Sequence, residues 1–496
     1  MSTQGWPESP IPGKDPREAG RSREEVAGGR GSSWLEPHRL RLDRVASASQ
    51  PESRESAGAG LLERCAATYR ALMTHPQAYA RLTALLVVLM VIFSSVPIYN
   101  NIIHRKNKDY DLWYRTGRTV LAGGDVYPRG PHLFPFMYPP AAASMLALVS
   151  AAGERAMVIT LTLINSSAWA TSILLSVWLA TGSRRRAHPL LYAAPSLLVV
   201  PFIHDTYLLG QPNLLLLALM LGAFACLRIK RSASAGMLIA LAASIKAFPV
   251  LAIGWLIYRR QWRATAACVL SLAVLLVVLP SVFRGPARAW DDLVVWTRGM
   301  VLKYDAGTIA QRPERSYSFK NQSLPALCNR LLRAIPADGE SHTDWAVNVA
   351  DLDFRAVNGV IVLSALALCG VFLWSLPRQA LRTDRTDALE GGMLLLLIIM
   401  FSPLSFNYFY IWLIYPLTLA LESIERAAED SDERRAAKRA LTAAVLLLAA
   451  ALVMNKTAQA YGNLFLAALT LLVALAAITR RTWDVRAAAR PARAAS

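Results

Sequence analysis

Long apolar runs dominate the chain from residue 81 onward. Runs of about 15–25 residues recur, which is the length that a helix needs to cross a bilayer, and a few are shorter. Inside lipid only helices and closed barrels satisfy every backbone hydrogen bond, and the sequence lacks the alternating strands of a barrel. The pattern therefore predicts an all-α polytopic membrane protein. The runs with the composition of full crossings are 81–97, 154–180, 190–201, 213–227, 264–282, 356–376, 392–401, 408–421, 441–453 and 461–478.

Two further apolar segments fit short or re-entrant elements better than full crossings. Segment 233–258 has the length of one span, but it lies between two basic loops and contains Lys246 and Pro249 near its middle. A pair of half-helices that turns within the membrane satisfies both constraints, and irregular backbone is acceptable at that depth where it lines a cavity. Segment 139–150 is also short. We expect about 10–12 transmembrane helices, together with such short elements.

Basic residues at the ends of apolar runs set the expected orientation, since arginine-rich loops favour the cytoplasmic side. Residues 1–75 then form a cytoplasmic tail, whose Ser, Gly, Pro, Arg and Glu content predicts disorder. Residues 76–482 form the transmembrane domain, with outer loops 100–138 and 283–355, and residues 483–496 form a second cytoplasmic tail. We expect a multi-pass protein of the plasma (inner) membrane, with its polar motifs on the extracytoplasmic face. The basic loops are 184–186, 228–231, 259–263, 378–385, 434–439 and the tail from 480.

The net charge of +19 does not indicate nucleic-acid binding, because the arginines cluster at the ends of apolar runs. The five cysteines show no CxxC spacing, and His204 with Asp205 supplies too few ligands for a metal. We therefore expect no disulfide framework, no metal site and no cofactor.

The first outer loop contains two carboxylates beside aromatic residues. Asp109 and Asp111 follow the first crossing, and Leu112, Val120 and Leu121 would give a helix here an apolar side for the membrane interface. A carboxylate in that place would lie close to both a lipid headgroup and an acceptor hydroxyl. General-base catalysis requires such a carboxylate within hydrogen-bonding distance of the proton that it removes. The alternative is that these acids are solvated loop charges. Further candidate binding residues in this loop are Tyr114, Tyr127 and Tyr138.

Two polar features interrupt the middle of the apolar region. Gln211 and Asn213 carry amides suited to sugar hydroxyls, although Asn213 also fits a helix cap. Lys246 is a basic group inside an apolar stretch, and an ionisable residue within a membrane segment indicates function. It would hold a lipid phosphate as a point charge. The alternative is that its side chain snorkels to the nearer interface.

The second outer loop combines cations with amides, which suits an anionic ligand rich in hydroxyl groups. The turn between the late crossings adds a hydroxyl and a phenol, although a helix end caused by proline is the alternative. The candidate binding residues of these two regions are Arg312, Arg315, Lys320, Asn321, Gln322, Ser405 and Tyr408.

In this order the motifs resemble glycosyltransferase family 87, which includes polyprenol-phosphate-mannose-dependent α-1,2-mannosyltransferases. That family usually carries a tryptophan and histidines after its last motif, where this chain has Phe406, Asn407, Tyr408 and Phe409. The matching stretches are Asp111-Leu112-Trp113-Tyr114, Gly123 to Tyr127, Tyr138-Pro139-Pro140, Gly210 to Asn213, Lys246 to Pro249, Asn321 to Ser323 and Ser402 to Ser405.

The resemblance implies a C-type glycosyltransferase fold and an inverting, metal-independent transfer on the outer face. The expected donor is a polyprenyl-phosphate sugar, with mannose favoured by the best-known relatives, and the acceptor is the hydroxyl of a glycolipid or glycan among membrane lipids. The family spacing to Tyr114 favours Asp111 over Asp109 as the base, and Lys246 would hold the donor phosphate. The residues expected to orient sugars are Gln211, Asn213, Asn321 and Gln322.

A transporter or flippase of a lipid-linked or anionic substrate is the competing class. Transporters often contain internal repeats and interrupted helices with binding residues near the midplane. This sequence shows no clear repeat, and its polar motifs lie mostly in predicted outer loops. Lys246 in a broken segment is the one feature that a transporter would share. A catalytically inactive scaffold is a third alternative, because the expected histidines are absent.

Overall fold

Helices account for nearly all of the regular structure. The computed structural model describes residues 76–103, 109–128, 136–183, 187–311, 316–338 and 345–494. Within those residues there is no β-strand, and the two isolated β-bridges join Tyr304 to Ile309 and Asn321 to Phe406. The predicted all-α class is therefore confirmed. The disorder predicted for residues 1–75 lies outside the described residues.

Nine α-helices of the described residues lie between residues 76 and 258. They are α1 (Pro76–Pro97), α2 (Asp109–Leu121), α3 (Pro140–Ser150), α4 (Glu154–Thr181), α5 (Pro189–Leu198), α6 (Val200–Leu209), α7 (Asn213–Arg228), α8 (Ser232–Ile245) and α9 (Ala252–Tyr258).

The remaining helices complete the bundle. They are α10 (Trp262–Ala273), α11 (Leu279–Arg284), α12 (Pro286–Trp296), α13 (Leu324–Leu332), α14 (Phe354–Ser375), α15 (Asp384–Phe401), α16 (Ile414–Arg426), α17 (Asp432–Val453), α18 (Asn455–Ala460) and α19 (Asn463–Ala494). Short 3-10 or π-helical turns lie at Ile98–Ile103, Phe248–Leu251, Val274–Val278, Thr297–Val301, Gln379–Leu381 and Asn407–Leu413.

Fewer helices than predicted are long enough to cross a membrane. The described residues contain six such helical stretches, or seven if the sharply bent pair α6 and α7 forms one span. The predicted crossing at 190–201 is instead the shorter apolar helix α5, and the segments predicted to be short, 139–150 and 233–258, form the short helices α3, α8 and α9. Helix α15 lies inside the bundle, where every residue from Ala388 to Met400 is buried. Hydropathy alone does not separate a helix buried in protein from one that faces lipid, because both exclude water.

The predicted interruption near Lys246 is confirmed. Helix α8 ends at Ile245, and Lys246 itself is extended, with φ −144° and ψ 124°. A 3-10 turn that contains Pro249 then leads into α9. Proline lacks the N–H that a continuous helix needs and disfavours helical backbone before it, so Pro249 explains the break.

Small residues let helices approach closely around this break. A Cβ added to Gly236 of α8 would lie 2.1 Å from the carbonyl oxygen of Ala264 in α10, so only glycine fits there. Close backbone approach at small residues is a common way to pack helices within membranes. The same device joins α2 to α3, where a Cβ on Gly117 would lie 2.0 Å from the Ser150 hydroxyl. Helix α2 therefore packs Trp113 and Val120 against protein, although we had expected that side to face the membrane interface.

Candidate active site

Several of the predicted motifs meet at one cavity between the helix ends. Its empty volume is about 850 Å³, including its open mouth. The polar part of its wall is formed by Asp109, Tyr138, Gln211 and Lys246. The rest is largely apolar and includes Trp113, Trp296, Met300, Leu404 and Phe409.

A sharp bend in the chain presents Gln211 and Asn213 to this region. Helices α6 and α7 meet at 116°, and Gly210 ends α6 in the left-handed conformation with φ 72°. A Cβ at Gly210 would lie 2.8 Å from ring carbons of Tyr110, so glycine is required both by the backbone and by this contact. The bend therefore buries two amide side chains that a continuous helix would separate.

A hydrogen-bond network connects the polar side chains. Gln211 donates through Nε2 to Oδ2 of Asp109 at 2.5 Å, and its Oε1 accepts from the Tyr138 hydroxyl at 2.7 Å. Lys246 donates through Nζ to Oε1 of Gln211 at 3.2 Å and to Oδ1 of Asn213 at 3.1 Å. Asn213 in turn donates through Nδ2 to the Tyr408 carbonyl at 3.2 Å. One carboxylate and one ammonium are thus linked through a single amide.

Aromatic rings surround the ammonium of Lys246. The Nζ atom lies 3.9 Å from the ring centroid of Phe409, 5.2 Å from that of Tyr138 and 5.4 Å from that of Tyr408. Rings at these distances attract a cation through their quadrupoles without neutralising it. Three aromatic side chains and two amide oxygens are thus among the contacts of this cation.

The two acids of the first loop point in different directions. Asp109 lines the cavity, whereas Asp111 is not among its lining residues and pairs with Arg115, Oδ2 to Nη2, at 2.8 Å. The Arg115 side chain is 75% exposed and the Asp111 side chain is 24% exposed, so the pair is partly exposed. Residues two apart on a helix lie about 200° apart, whereas Asp109 and Trp113, four apart, share one side. The structure therefore does not bring Asp111 into the site, contrary to the spacing argument.

Helix α2 is fastened to the end of α6 by two aromatic side chains. The Tyr110 hydroxyl donates to the Tyr207 carbonyl at 3.0 Å, and Nε1 of Trp113 donates to the Gly210 carbonyl at 2.9 Å. These acceptors lie at the C-terminal end of α6, where the Tyr207 carbonyl also accepts from the Gly210 N–H at 3.3 Å. The two bonds hold Asp109 next to Gln211.

The other aromatic candidates of the first loop support the cavity without lining it. Tyr127 is buried, and its hydroxyl donates to the Tyr138 carbonyl at 2.7 Å. Burial raises the pKa of the Tyr127 phenol well above its ordinary value, so it stays a neutral donor. Tyr114 is half-buried, and its carbonyl accepts a bond from Ser150.

A buried ion pair that sequence reasoning missed holds this loop in place. Arg284 contacts Asp292 and also donates through Nη2 to the Gly124 carbonyl at 2.8 Å. Burial raises the pKa of Asp292, while the guanidinium of Arg284 acts in the opposite direction. The sequence feature that could have indicated this ion pair is an arginine and an aspartate eight positions apart on either side of a helix boundary.

Asn321 and Gln322 do not line the cavity but bind the turn that contains Ser405, and we call these three residues the clasp. Both are fully buried. Asn321 donates to the Pro403 carbonyl at 3.0 Å and accepts from the Ser405 N–H at 3.0 Å, and the Gln322 N–H donates to the Ser405 carbonyl at 2.7 Å. Ser405 is itself buried, so these three residues shape the turn whose Pro403 lines the cavity.

Arg330 completes this clasp, and sequence reasoning missed it as well. Its buried guanidinium donates to the carbonyls of Tyr317, Ser318 and Asn321 and to those of Gln459 and Ala460. Carbonyl oxygens satisfy the five donors of a buried arginine without a carboxylate. Its position within a predicted outer loop carried no local signal of this role.

Of the predicted cations of the second outer loop, the structure describes Lys320, which does not line the cavity. Lys320 is exposed, and its Nζ lies 5.7 Å from the centroid of the Phe319 ring. Arg312 and Arg315 lie outside the described residues. Tyr408, in contrast, lines the cavity as expected. Among the residues that the structure describes, no group of three or more His, Cys, Asp or Glu side chains is arranged to hold a metal ion.

Comparison with known proteins is consistent with the resemblance of the motifs. The profile of glycosyltransferase family 87 matches residues 136–403, which is more than half of the 496-residue chain. A polyprenol-phosphate-mannose-dependent α-(1-2)-phosphatidylinositol mannoside mannosyltransferase of Mycobacterium tuberculosis is 24% identical over 315 residues, or 60% of this chain. The aligned region spans 65% of that relative's length. No solved structure matches the chain significantly. The family match shows that this chain belongs to glycosyltransferase family 87.

Proposed function

We propose that this protein transfers a sugar from a polyprenyl-phosphate donor to an acceptor hydroxyl, with Asp109 as the general base. The observation that carries the proposal is the linked set of Asp109, Gln211 and Lys246 in one cavity. A general base and a phosphate-binding cation are the two groups that such a transfer needs. Family membership favours this class over a transporter.

The proposed step is a displacement at the anomeric carbon. The acceptor oxygen forms the new bond to this carbon while its proton passes to a carboxylate oxygen of Asp109. The bond between the anomeric carbon and the phosphate oxygen breaks, its electron pair stays on that oxygen, and polyprenyl phosphate leaves. Attack from the side opposite the leaving group inverts the anomeric carbon. Negative charge grows on the phosphate, and the ammonium of Lys246 stabilises it.

The cavity is proposed to open on the extracytoplasmic face. Asn213 begins α7 and Arg228 ends it, so the cavity and the first basic loop lie at opposite ends of a helix about 24 Å long. Lys246 likewise follows the end of α8, while Arg231 precedes its start. Because basic loops favour the cytoplasm, this separation supports the outer face for the cavity.

Mannose is the proposed sugar, because the relative named above depends on polyprenol-phosphate-mannose. The proposed acceptor is a hydroxyl of a glycolipid or glycan, and no metal or other cofactor takes part. Transfer that survives a chelator such as EDTA would support the last point, and loss of transfer restored by a divalent cation would contradict it.

The deciding experiment compares Asp109→Asn with Asp111→Asn in proteoliposomes. Radiolabelled polyprenyl-phosphate-mannose and a crude lipid and glycan extract serve as donor and acceptors. We expect Asp109→Asn to lower transfer by about 100-fold or more, because general-base catalysis contributes at least this much. Asp111→Asn removes a surface ion pair and is expected to retain transfer within about twofold.

The reverse result would assign the base to Asp111, as the family spacing suggested. Normal transfer in both variants would remove the carboxylate from the mechanism. If the folded wild-type protein transfers no mannose, a polyprenyl-phosphate pentose is the next donor to test.

A further inference from the structure

Gln211 contacts both charged groups of the cavity through one side-chain amide. Its Nε2 donates to Asp109, and its Oε1 accepts from Lys246 and Tyr138. We infer that Gln211 is a positioning residue that holds the general base and the phosphate-binding cation relative to each other, instead of binding the sugar. This inference rests on the function proposed above and replaces the sugar-orienting role that the sequence suggested for this amide.

The neighbours of the amide determine its orientation. An ammonium can only donate hydrogen bonds, and an ionised carboxylate can only accept them. In the observed orientation the amide oxygen faces Lys246 and the amide nitrogen faces Asp109. A flipped amide would place its N–H groups against the ammonium and its oxygen against the carboxylate, so both contacts would become repulsive. One orientation is therefore strongly favoured, and it serves both charged groups at once.

The protein also holds Gln211 from behind. Its backbone N–H donates to the Thr206 carbonyl at 3.0 Å, and its carbonyl accepts from Nδ2 of Asn165 at 3.2 Å. Gln211 is only 3% exposed. Gln211 lines the cavity, and a side chain that is buried and bonded in this way is held rigidly there.

The position suits the chemistry of the proposed step. Asp109 acts on the attacking oxygen and Lys246 acts on the leaving phosphate, so the two groups work at opposite ends of one displacement. Displacement is fast only when the attacking and leaving atoms are held in line. A rigid amide between the two charged groups keeps their separation constant through the reaction.

The test uses a ligand that has no sugar. Polyprenyl phosphate, the leaving group of the proposed step, is titrated against wild-type protein, Gln211→Met and Lys246→Met in detergent micelles. Gln379→Met is the matched control. Gln379 is exposed, lies in the short turn Gln379–Leu381 and does not line the cavity. Melting temperatures without ligand verify that each variant is folded.

We expect Gln211→Met to bind polyprenyl phosphate about tenfold more weakly, because one hydrogen bond to a charged group is lost. Its kcat for sugar transfer is expected to fall further, by about 100-fold, since the base is released as well. A residue that binds only the sugar would leave the affinity for polyprenyl phosphate unchanged, and that result overturns the inference.

Lys246→Met separates this inference from the proposed function. Unchanged affinity in Lys246→Met would overturn the phosphate role of the cation itself. Weaker binding in Lys246→Met together with wild-type binding in Gln211→Met would overturn only the positioning role. If Gln211→Met does not fold, Tyr138→Phe decides, because it removes just the hydroxyl that orients the amide. A severalfold loss of affinity and kcat supports the inference, and wild-type values for both overturn it.

Discussion

Helices α7 and α8 carry a polar cluster at each end, and the two clusters differ in how their charges are matched. At the cavity end, the contacts of Lys246 include two amide oxygens and three aromatic rings. At the other end, arginines meet carboxylates directly. We call this second set the ion-pair cluster, and it consists of Arg228, Arg259, Arg382, Asp384, Asp387 and Glu390.

The ion-pair cluster is built around a buried carboxylate. Glu390 is fully buried and accepts from Nη1 of Arg382 at 2.7 Å and from Nε1 of Trp255 at 2.6 Å, while Nε of Arg259 lies 3.9 Å away. The positive charge of a guanidinium group is balanced locally when it pairs with a carboxylate. Such pairs join helices and leave little charge to attract another anion. Amide oxygens and aromatic rings, in contrast, attract a cation without carrying a full negative charge. The comparison shows that guanidinium–carboxylate pairs hold the ion-pair cluster together, whereas amides and aromatic rings are among the contacts of the cation in the cavity.

The largest expected effect comes from the ion-pair cluster. Glu390→Ala should lower the free energy of unfolding by about 3 kcal/mol, because the half-buried Arg259 and Arg382 keep only Asp387 as a carboxylate partner and the buried Trp255 N–H loses its acceptor. Folded Glu390→Ala should keep its kcat. Thermal and denaturant unfolding in detergent measure the loss, with Asp384→Ala as the control, since the Asp384 side chain is 73% exposed. A loss of kcat at unchanged stability would make this cluster part of the site.

The cavity should show the opposite behaviour. Lys246→Met is expected to lower kcat/KM for transfer by about 100-fold, or about 2.7 kcal/mol, with little change in melting temperature. Lys320→Met is the control, because Lys320 is exposed and does not line the cavity. A variant that melts much earlier yet transfers sugar normally would show that Lys246 is structural and would remove the distinction between the clusters.

The bend before Gln211 allows a sharper test of geometry. Gly210→Ala should lower kcat by about tenfold, because the new Cβ would displace Tyr110 and with it the Asp109 end of α2. Gly123→Ala is matched to it, since Gly123 also has a left-handed φ, 68°, but has nothing within 4 Å of the added Cβ. Both variants should lose roughly 1–2 kcal/mol of stability to backbone strain. Equal kcat in the two variants would argue against the Tyr110 contact.

The smallest expected effect is at the surface. Arg115→Ala breaks the pair with Asp111. Because exposed pairs contribute about 0–1 kcal/mol, the free energy of unfolding should fall by less than about 1 kcal/mol and the rate of transfer should change by less than about twofold. Steady-state transfer and a melting curve measure both. A large loss of transfer would indicate that Asp111 acts in the reaction despite its place outside the cavity.

Much of this arrangement could be predicted from local patterns. The polar stretches around Asp109, Gln211 and Lys246 were each recognised in the sequence, and the break at Lys246 was expected from the charge and proline that interrupt an apolar run. Burial inside the bundle was not predicted for α15, because a helix packed against protein and a helix facing lipid have the same hydropathy. The clasp around Arg330 was not predicted either, since its acceptors are backbone carbonyls, which leave no trace in residue types.

The positions of Asp109 and Asp111 show what local spacing does not decide. Tyr110, Trp113, Gly117 and Val120 form the buried side of α2. Helical periodicity places Asp109 next to this side and Asp111 away from it. This periodicity could be read from the sequence, in which an aromatic residue, Tyr110, directly follows Asp109. It could be used only once the region was known to be a helix packed on α3 and α6.

The sequence by itself determined the membrane class, the family and the short polar stretches, because hydrophobicity and helix breaking act over neighbouring residues. Only the tertiary structure decided which polar groups meet. Gln211 binds Asp109 across 102 positions and Lys246 across 35 positions, and such partners are selected by helix packing. A buried polar group must find a partner wherever the fold places one, so the same amides serve as cavity wall at Gln211 and as structural clasp at Gln322.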